Sequence, residues 1–332
     1  MGVRSYIVKR VIVAILILWV IASLNFVIFQ VISPIRPEMT ILDPHFTPAV
    51  RAALRHLYGL DEPLYVRYLL YLRNMFTWRF GRSFYTMRPV VTDLMWRLPN
   101  TVILLGLALI LTISVGIPVG ILAASRRGTK VDAAAIGAGL FTWGVPTFFI
   151  QLLFILFFCA YLGDFLGFIV VPSRGMYSTP PPEDILPYIA DVAWHLFLPI
   201  LSLVVAGFGS WALYTRNIMI DALTQDYIVT ARAKGLAERT VLYRHAFRSI
   251  LPPIVTMVAM AIPGIVTGAM ITEYLFSLPG IGQWYLTALT QSNYPVVQAI
   301  LFIYAVLMII ANLVADLLYG VLDPRIRVGQ RR

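Results

Sequence analysis

Four histidines, three lysines, one cysteine and a serine among glycines are the residues of this 332-residue sequence best able to start a reaction. A phosphate-binding loop needs a lysine followed by Ser or Thr, because that lysine must reach the terminal phosphates from a Gly-rich turn. Lys9 is followed by Arg10, Lys130 by Val131 and Lys234 by Gly235, so the sequence has no such loop. A hydrolase nucleophile elbow reads Gly-x-Ser-x-Gly, and Gly207-Phe208-Gly209-Ser210-Trp211 has the wrong order. His45, His56, His195 and His245 are scattered, with no His-Glu-x-x-His spacing for a metal. Cys159 alone excludes a disulfide framework, a Cys-rich zinc site or a paired-thiol redox motif, and its apolar neighbours suit a small buried side chain. No catalytic constellation emerges.

One polar segment stands apart: Asp226-Tyr227-Ile228-Val229-Thr230-Ala231-Arg232-Ala233-Lys234-Gly235-Leu236, continued by a second helical pattern to Pro252-Pro253. Asp226 is placed to cap a short helix, Ala231 and Ala233 to admit a close partner, and Gly235 to supply a turn. Leu236, Tyr243, Phe247 and Ile250 predict an apolar stripe beside Arg244 and Arg248. A helix–Gly–helix elbow can pass force from a soluble partner. The same pattern also suits an interfacial helix with snorkelling arginines.

The surroundings of this segment are those of a membrane protein. Hydrophobic residues make up 59% of the chain and charged residues 13%, about half the soluble norm of roughly 25%. Six runs lack Asp, Glu, Lys and Arg: 11–35, 98–125, 133–163, 192–215, 249–272 and 274–315. Each can hold the roughly 20 residues a spanning helix needs. Pro279, Gly280, Gly282, Asn293 and Pro295 interrupt the last, which places its span at 296–318. The fold class expected is an all-α membrane protein with six transmembrane helices. The basic start (Arg4, Lys9, Arg10) and over-long apolar run, without a small-residue cleavage site, predict an uncleaved first helix.

An even number of spans puts both termini on one side. With that side cytoplasmic, sixteen of the 26 Lys and Arg residues, including every lysine, fall inside. Nine of the other ten are arginines of the long loop after the first span, where the charge rule weakens. The net charge of +10 is therefore a cytoplasmic rim rather than a nucleic-acid surface. The expected division is 1–33 (cytoplasmic N-terminus and first span), 34–98 (external helical loop domain) and 99–332 (five-helix core with a cytoplasmic loop at 217–250). Within the external loop, helices are expected at 48–57, ending at Gly59, and at 63–76, starting at Pro63. This loop could dock or gate, or simply cover helix ends.

Pro118, Pro146, Pro199 and Pro263 predict kinks, and Gly116/Gly120 and Gly264/Gly268 close helix packing. The span centres carry no ionisable group of the kind a proton- or sodium-coupled carrier uses; Glu273 and Asp316 fall near span ends, at the interface. The energy source is then expected on another chain.

With these residues in view, the sequence resembles the permease subunits of binding-protein-dependent ABC importers of the dipeptide/oligopeptide type. The segment from Asp226 to Pro253 looks like that family's coupling loop. Glu273-Tyr274-Leu275-Phe276-Ser277-Leu278-Pro279-Gly280-Ile281-Gly282, Tyr294-Pro295-Val296-Val297-Gln298 and Leu322-Asp323-Pro324-Arg325 resemble other parts of it. Tyr58-Gly59-Leu60-Asp61-Glu62-Pro63 and Phe80-Gly81-Arg82-Ser83 resemble the subunit with the large N-terminal external loop. The general pattern opens the coupling loop with Glu-Ala-Ala; here Val229-Thr230-Ala231 stands there.

The resemblance implies a type I ABC importer permease fold and alternating access, with a pathway lined by helices three to six. It implies a non-catalytic subunit partnered by a second homologous permease, two cytoplasmic ATPases that bind ATP and Mg, and an external substrate-binding protein. No cofactor is expected in this chain, and no nucleic acid. Asp226, Tyr227, Ala231, Arg232, Ala233, Lys234, Gly235 and Leu236 would be the ATPase-coupling residues. Among substrates peptides lead, oligosaccharides follow and nickel complexes rank below, since the spans lack His and carboxylate ligands. A stand-alone channel or secondary transporter is the alternative from another class.

Overall fold

A computed structural model describes residues 3–32, 61–168, 170–267 and 270–322. The expected 48–57 helix, the Tyr58-Gly59-Leu60 motif, Gly268 and the Asp323-Pro324-Arg325 motif lie outside the described residues, as do the side chains of Pro263 and Asp316. The described chain is helical: α1 Val3–Phe26, α2 Leu64–Phe76, α3 Val90–Ser125, α4 Lys130–Gly144, α5 Thr147–Phe154, α6 Ile185–Leu223, α7 Asp226–Ala233, α8 Phe247–Thr267, α9 Met270–Leu275, α10 Ile281–Thr290 and α11 Tyr294–Leu322. Among the described residues, six helical stretches are long and apolar enough to cross a bilayer: Lys9–Ile32, Val90–Ser125, Thr147–Leu166, Ile185–Leu223, Glu238–Ile262 and Tyr294–Val314. These match the six charge-free runs in order.

The third run departs from a single helix. Pro146 ends α4 instead of only kinking it: Val145 is extended (φ −88°, ψ 129°) and Pro146 itself precedes the first residue of α5. The proline ring disfavours helical backbone at the residue before it, which accounts for the break. Pro118 and Pro199 stay inside α3 and α6, whose helices continue through them. Glu273, which follows the fifth span, is fully buried in α9. Its backbone carbonyl accepts from the Leu278 amide at 2.8 Å as the chain turns back.

The chain forms two compact units: Met1–Thr101 with Val266–Met270 and Pro279–Leu313, and Val102–Ile265 with Ile271–Leu278 and Val314–Arg332. The first is built around Ala22 and Phe26 of α1, Tyr71 and Met75 of α2, Ile281 and Trp284 of α10 and the Val296-to-Tyr304 stretch of α11. Its connector between α2 and α3 is pinned by Asn293. The Asn293 Oδ1 accepts from the Phe84 amide at 3.1 Å, and its Nδ2 donates to Ser83 Oγ at 2.8 Å.

In the second unit α4 and α6 meet through glycines. A Cβ on Gly209 would lie 2.5 Å from the Gly139 carbonyl oxygen, so the backbones touch where neither residue has a side chain. Gly116 and Gly120 of α3 pack as expected: a Cβ there would fall 2.5 Å from Trp211 Cβ and from the Ala212 carbonyl oxygen of α6, respectively. A Cβ on Gly264 would meet nothing within 4 Å among the described residues.

Candidate functional site

The polar segment between the fourth and fifth spans folds as a compact elbow. Helix α6 runs on to Leu223, and Gln225 in extended conformation starts α7. Asp226 is thus the first helical residue and not the cap. Its carboxylate stands in the first turn, where the helix dipole favours negative charge. At the far end Gly235 adopts φ +75°, the left-handed conformation that closes a helix, and its amide donates to the Arg232 carbonyl at 2.9 Å. A Cβ at Gly235 would meet nothing within 4 Å, so glycine is required here by backbone conformation rather than by space.

Ile228 and Ala231, three residues apart, form the inner face of α7. They join one cluster with Ile121 and Ala124 of α3, Met219 and Ala222 of α6, and Val241, Ala246, Ile250 and Ile254 at the start of the fifth span. Ile228 is fully buried, and burying such a side chain is worth about 2 kcal/mol. Tyr227 adds a polar tie, its hydroxyl donating to Ser249 Oγ at 2.7 Å. The elbow is therefore fastened to the ends of three spans.

Of the stripe predicted through Leu236, Tyr243, Phe247 and Ile250, Ile250 is buried and Phe247 half-buried in this same cluster, and the first two positions are out of phase. Leu236 and Tyr243 are exposed, and the buried series is Val241, Ala246, Ile250 and Ile254. The cause is a wide turn over Val241–Ala246, which adds a residue to the helical repeat and so gives the first interval of five instead of four. Leu236 lies before that helix begins.

The outer face of the elbow is Asp226, Tyr227, Val229, Thr230, Arg232, Ala233, Lys234, Gly235 and Leu236, all exposed. Of the residues singled out from sequence, Ala231 alone points inward. Arg232 grips Glu238 across the Gly235 turn, Nη2 to Oε1 at 2.7 Å and Nε to Oε2 at 3.2 Å. Both side chains are about half exposed, so the pair is worth under about 1 kcal/mol and sets geometry more than stability. Beyond the turn an open groove is lined by Ala237, Arg239, Thr240, Tyr243 and Arg244.

Sequence reasoning missed a second tie on the same side of the spans. Arg216, near the end of α6, binds the buried Asp132 of α4, and the Gly128 amide donates to the same carboxylate at 2.9 Å. Arg216 holds the Asp132 carboxyl at about 2, against the opposing effect of burial, with the Gly128 amide assisting. A lone arginine ending an apolar run was the one available signal.

An exposed polar face on a helix bolted to three span ends is the geometry of a part that receives force from outside the membrane. The family described as "binding-protein-dependent transport system inner membrane component" matches residues 116–328, and its N-terminal companion matches residues 3–105. This chain belongs to that family. It is 36% identical, over 97% of its length and 99% of the relative's, to an oligopeptide transport system permease protein of Bacillus subtilis. A dipeptide transport system permease protein of Lactococcus lactis is 34% identical over 98% of this chain and 99% of its own. A di/tripeptide transport system permease protein of Pseudomonas aeruginosa is 32% identical over 97% and 98%. The chain is thus a multi-pass membrane permease of the family, whose systems include ATPases and a substrate-binding protein.

Proposed function

We propose that this chain is one permease subunit of an ATP-driven importer of di- and oligopeptides, and that α7 carries motion between a cytoplasmic ATPase and the spans. The carrying observation is the two-sided character of α7: Ile228 and Ala231 lock it to three spans while its other face stays open. The oligopeptide, dipeptide and di/tripeptide permeases to which the chain is similar support the cargo. The chain pairs with a second homologous permease, two ATPases that hold ATP and Mg, and an external binding protein. It is itself non-catalytic, sits in the inner or plasma membrane and has both termini in the cytoplasm, the side favoured by its lysines and arginines.

In this reading Asp226, Tyr227, Arg232, Ala233, Lys234, Gly235 and Leu236 contact the ATPase, and Ala231 passes the displacement inward. A soluble domain that changes shape with nucleotide shifts the spans only if the two conformations hold α7 differently. Purification from the native membrane in mild detergent tests the assembly. Recovery with two ATPases, a second permease and a binding protein that takes up peptides supports it. A chain that conducts solute alone, or a binding protein selective for oligosaccharides, contradicts the assembly or the cargo respectively.

A further inference from the structure

Helix α2 follows the long loop after the first span, yet its contacts lie deep along the spans it touches. Tyr68 and Ser23 share a hydrogen bond of 2.8 Å, and the Phe26 ring packs on Tyr68 and Tyr71 at 5.2 and 5.5 Å between centroids. Ser23 lies nine residues inside the Ile32 end of the first span, roughly 14 Å along a helix. At the other end of α2, Phe76 meets Phe302 edge-on at 5.6 Å. Phe302 lies eight residues inside the Tyr294 end of the last span, roughly 12 Å along it. Two spans thus place Tyr68 and Phe76 of α2, two turns apart, at similar depth within a hydrocarbon layer about 30 Å thick. Thirteen residues are too few to cross that layer but suit a helix lying in its plane.

The faces of α2 agree. Tyr65, Leu69 and Phe76 are 70%, 62% and 41% exposed. At about 100° per residue they fall within roughly 40° of one another. Arg67 and Asn74 lie on the opposite side, and Arg67 donates to Gln30, two residues from the end of the first span, while Tyr68 reaches the deeper Ser23. The side carrying Arg67 and Asn74 therefore points toward the membrane surface, as a snorkelling arginine would, and the apolar stripe points away from it, with the exposed Arg73 of the last turn about 40° from Leu69 at the edge of that stripe.

We infer that α2 is not part of an external cap but an in-plane helix in the leaflet that holds the Ile32 end of the first span, with Tyr65, Leu69 and Phe76 seated on lipid acyl chains. The inference rests on the membrane fold alone and stands whatever the cargo.

The test is nitroxide labelling of the full chain at Leu69→Cys, in a Cys159→Ser background, reconstituted in phosphatidylethanolamine–phosphatidylglycerol vesicles. Tyr65→Cys serves as a second reporter should the first fail to fold, and Asn74→Cys as the surface-facing control. Power-saturation spectroscopy compares collisions with oxygen, which partitions into lipid, and with a water-soluble nickel chelate. Oxygen should exceed nickel several-fold at 65 and 69, with the ratio reversed at 74. Nickel access at 65 and 69 would overturn the inference in favour of a water-exposed cap. Exclusion of both reagents in the assembly purified with its partners would overturn it in favour of a protein neighbour.

Discussion

Arg216 grips Asp132 with two hydrogen bonds, Nε to Oδ1 at 2.5 Å and Nη2 to Oδ2 at 2.8 Å, and so ties α4 to α6 a few turns from where Gly139 and Gly209 touch. Removing one partner of a buried pair leaves the other charge without compensation, which costs about 3 kcal/mol. Asp132→Ala should lower the thermal stability of the purified chain by that order. Asp132→Leu with Arg216→Leu should recover much of the loss.

The same pair has a defined pH signature. The folded carboxyl of Asp132 sits at about 2, below its ordinary value near 3.8, because Arg216 stabilises the charged form. A depressed carboxyl contributes its stability in full above the unfolded value and loses it as pH falls through the folded one. The stability advantage of the natural chain over Asp132→Asn should be flat above pH about 4 and shrink between about 4 and 2. Melting curves in detergent across that window check it. A gap that widened on acidification would contradict the assignment.

Close backbone approach makes a position-specific prediction. A Cβ at Gly209 would fall 2.5 Å from the Gly139 carbonyl oxygen and 2.6 Å from Thr142 Oγ1, whereas a Cβ at Gly137 would meet nothing within 4 Å. Gly209→Ala should destabilise by about 2 kcal/mol, in the range of overpacked cores, and Gly137→Ala should be neutral or slightly stabilising. Denaturation of the two variants side by side separates the effects.

Gly235 tests the elbow's shape. The left-handed region costs an L-residue about 1–2 kcal/mol and a β-branched one more, so Gly235→Val should depopulate the native turn about tenfold. ATP hydrolysis should continue while transport per ATP falls by a similar factor, with membrane insertion unchanged. Gly235→Asn, which tolerates φ > 0, should retain most transport.

Much of this fold was legible because a bilayer imposes a coarse rule: apolar runs of sufficient length become spans, and six did. The Gly235 turn was readable because its cause is local backbone conformation, and Gly116 and Gly120 because small residues one turn apart mark a close-packed face even when the partner helix is unknown. What escaped depends on partners distant in sequence. Asp132 and Arg216 look like separate rim charges until α4 and α6 are paired. Asn293 shows no link to Ser83 until the connector before α3 is folded back onto α11. The phase error at Tyr243 arose from assuming an ordinary helical repeat where Val241–Ala246 forms a wider turn, and that at Leu236 from extending the helix back across the Gly235 turn.

The central claim is that α7 presents its outer face to an ATPase while its inner face belongs to the spans. It is tested most directly by thiol cross-linking in the complex assembled with its partners, with Ala233→Cys and Ala231→Cys compared in a Cys159→Ser background. A short bifunctional reagent should join position 233 to the ATPase, with a yield that changes on ATP turnover, and leave position 231 unlinked because that side chain is buried against Ile228's neighbours. Absence of any adduct at 233, or equal adducts at 231 and 233, would contradict the account.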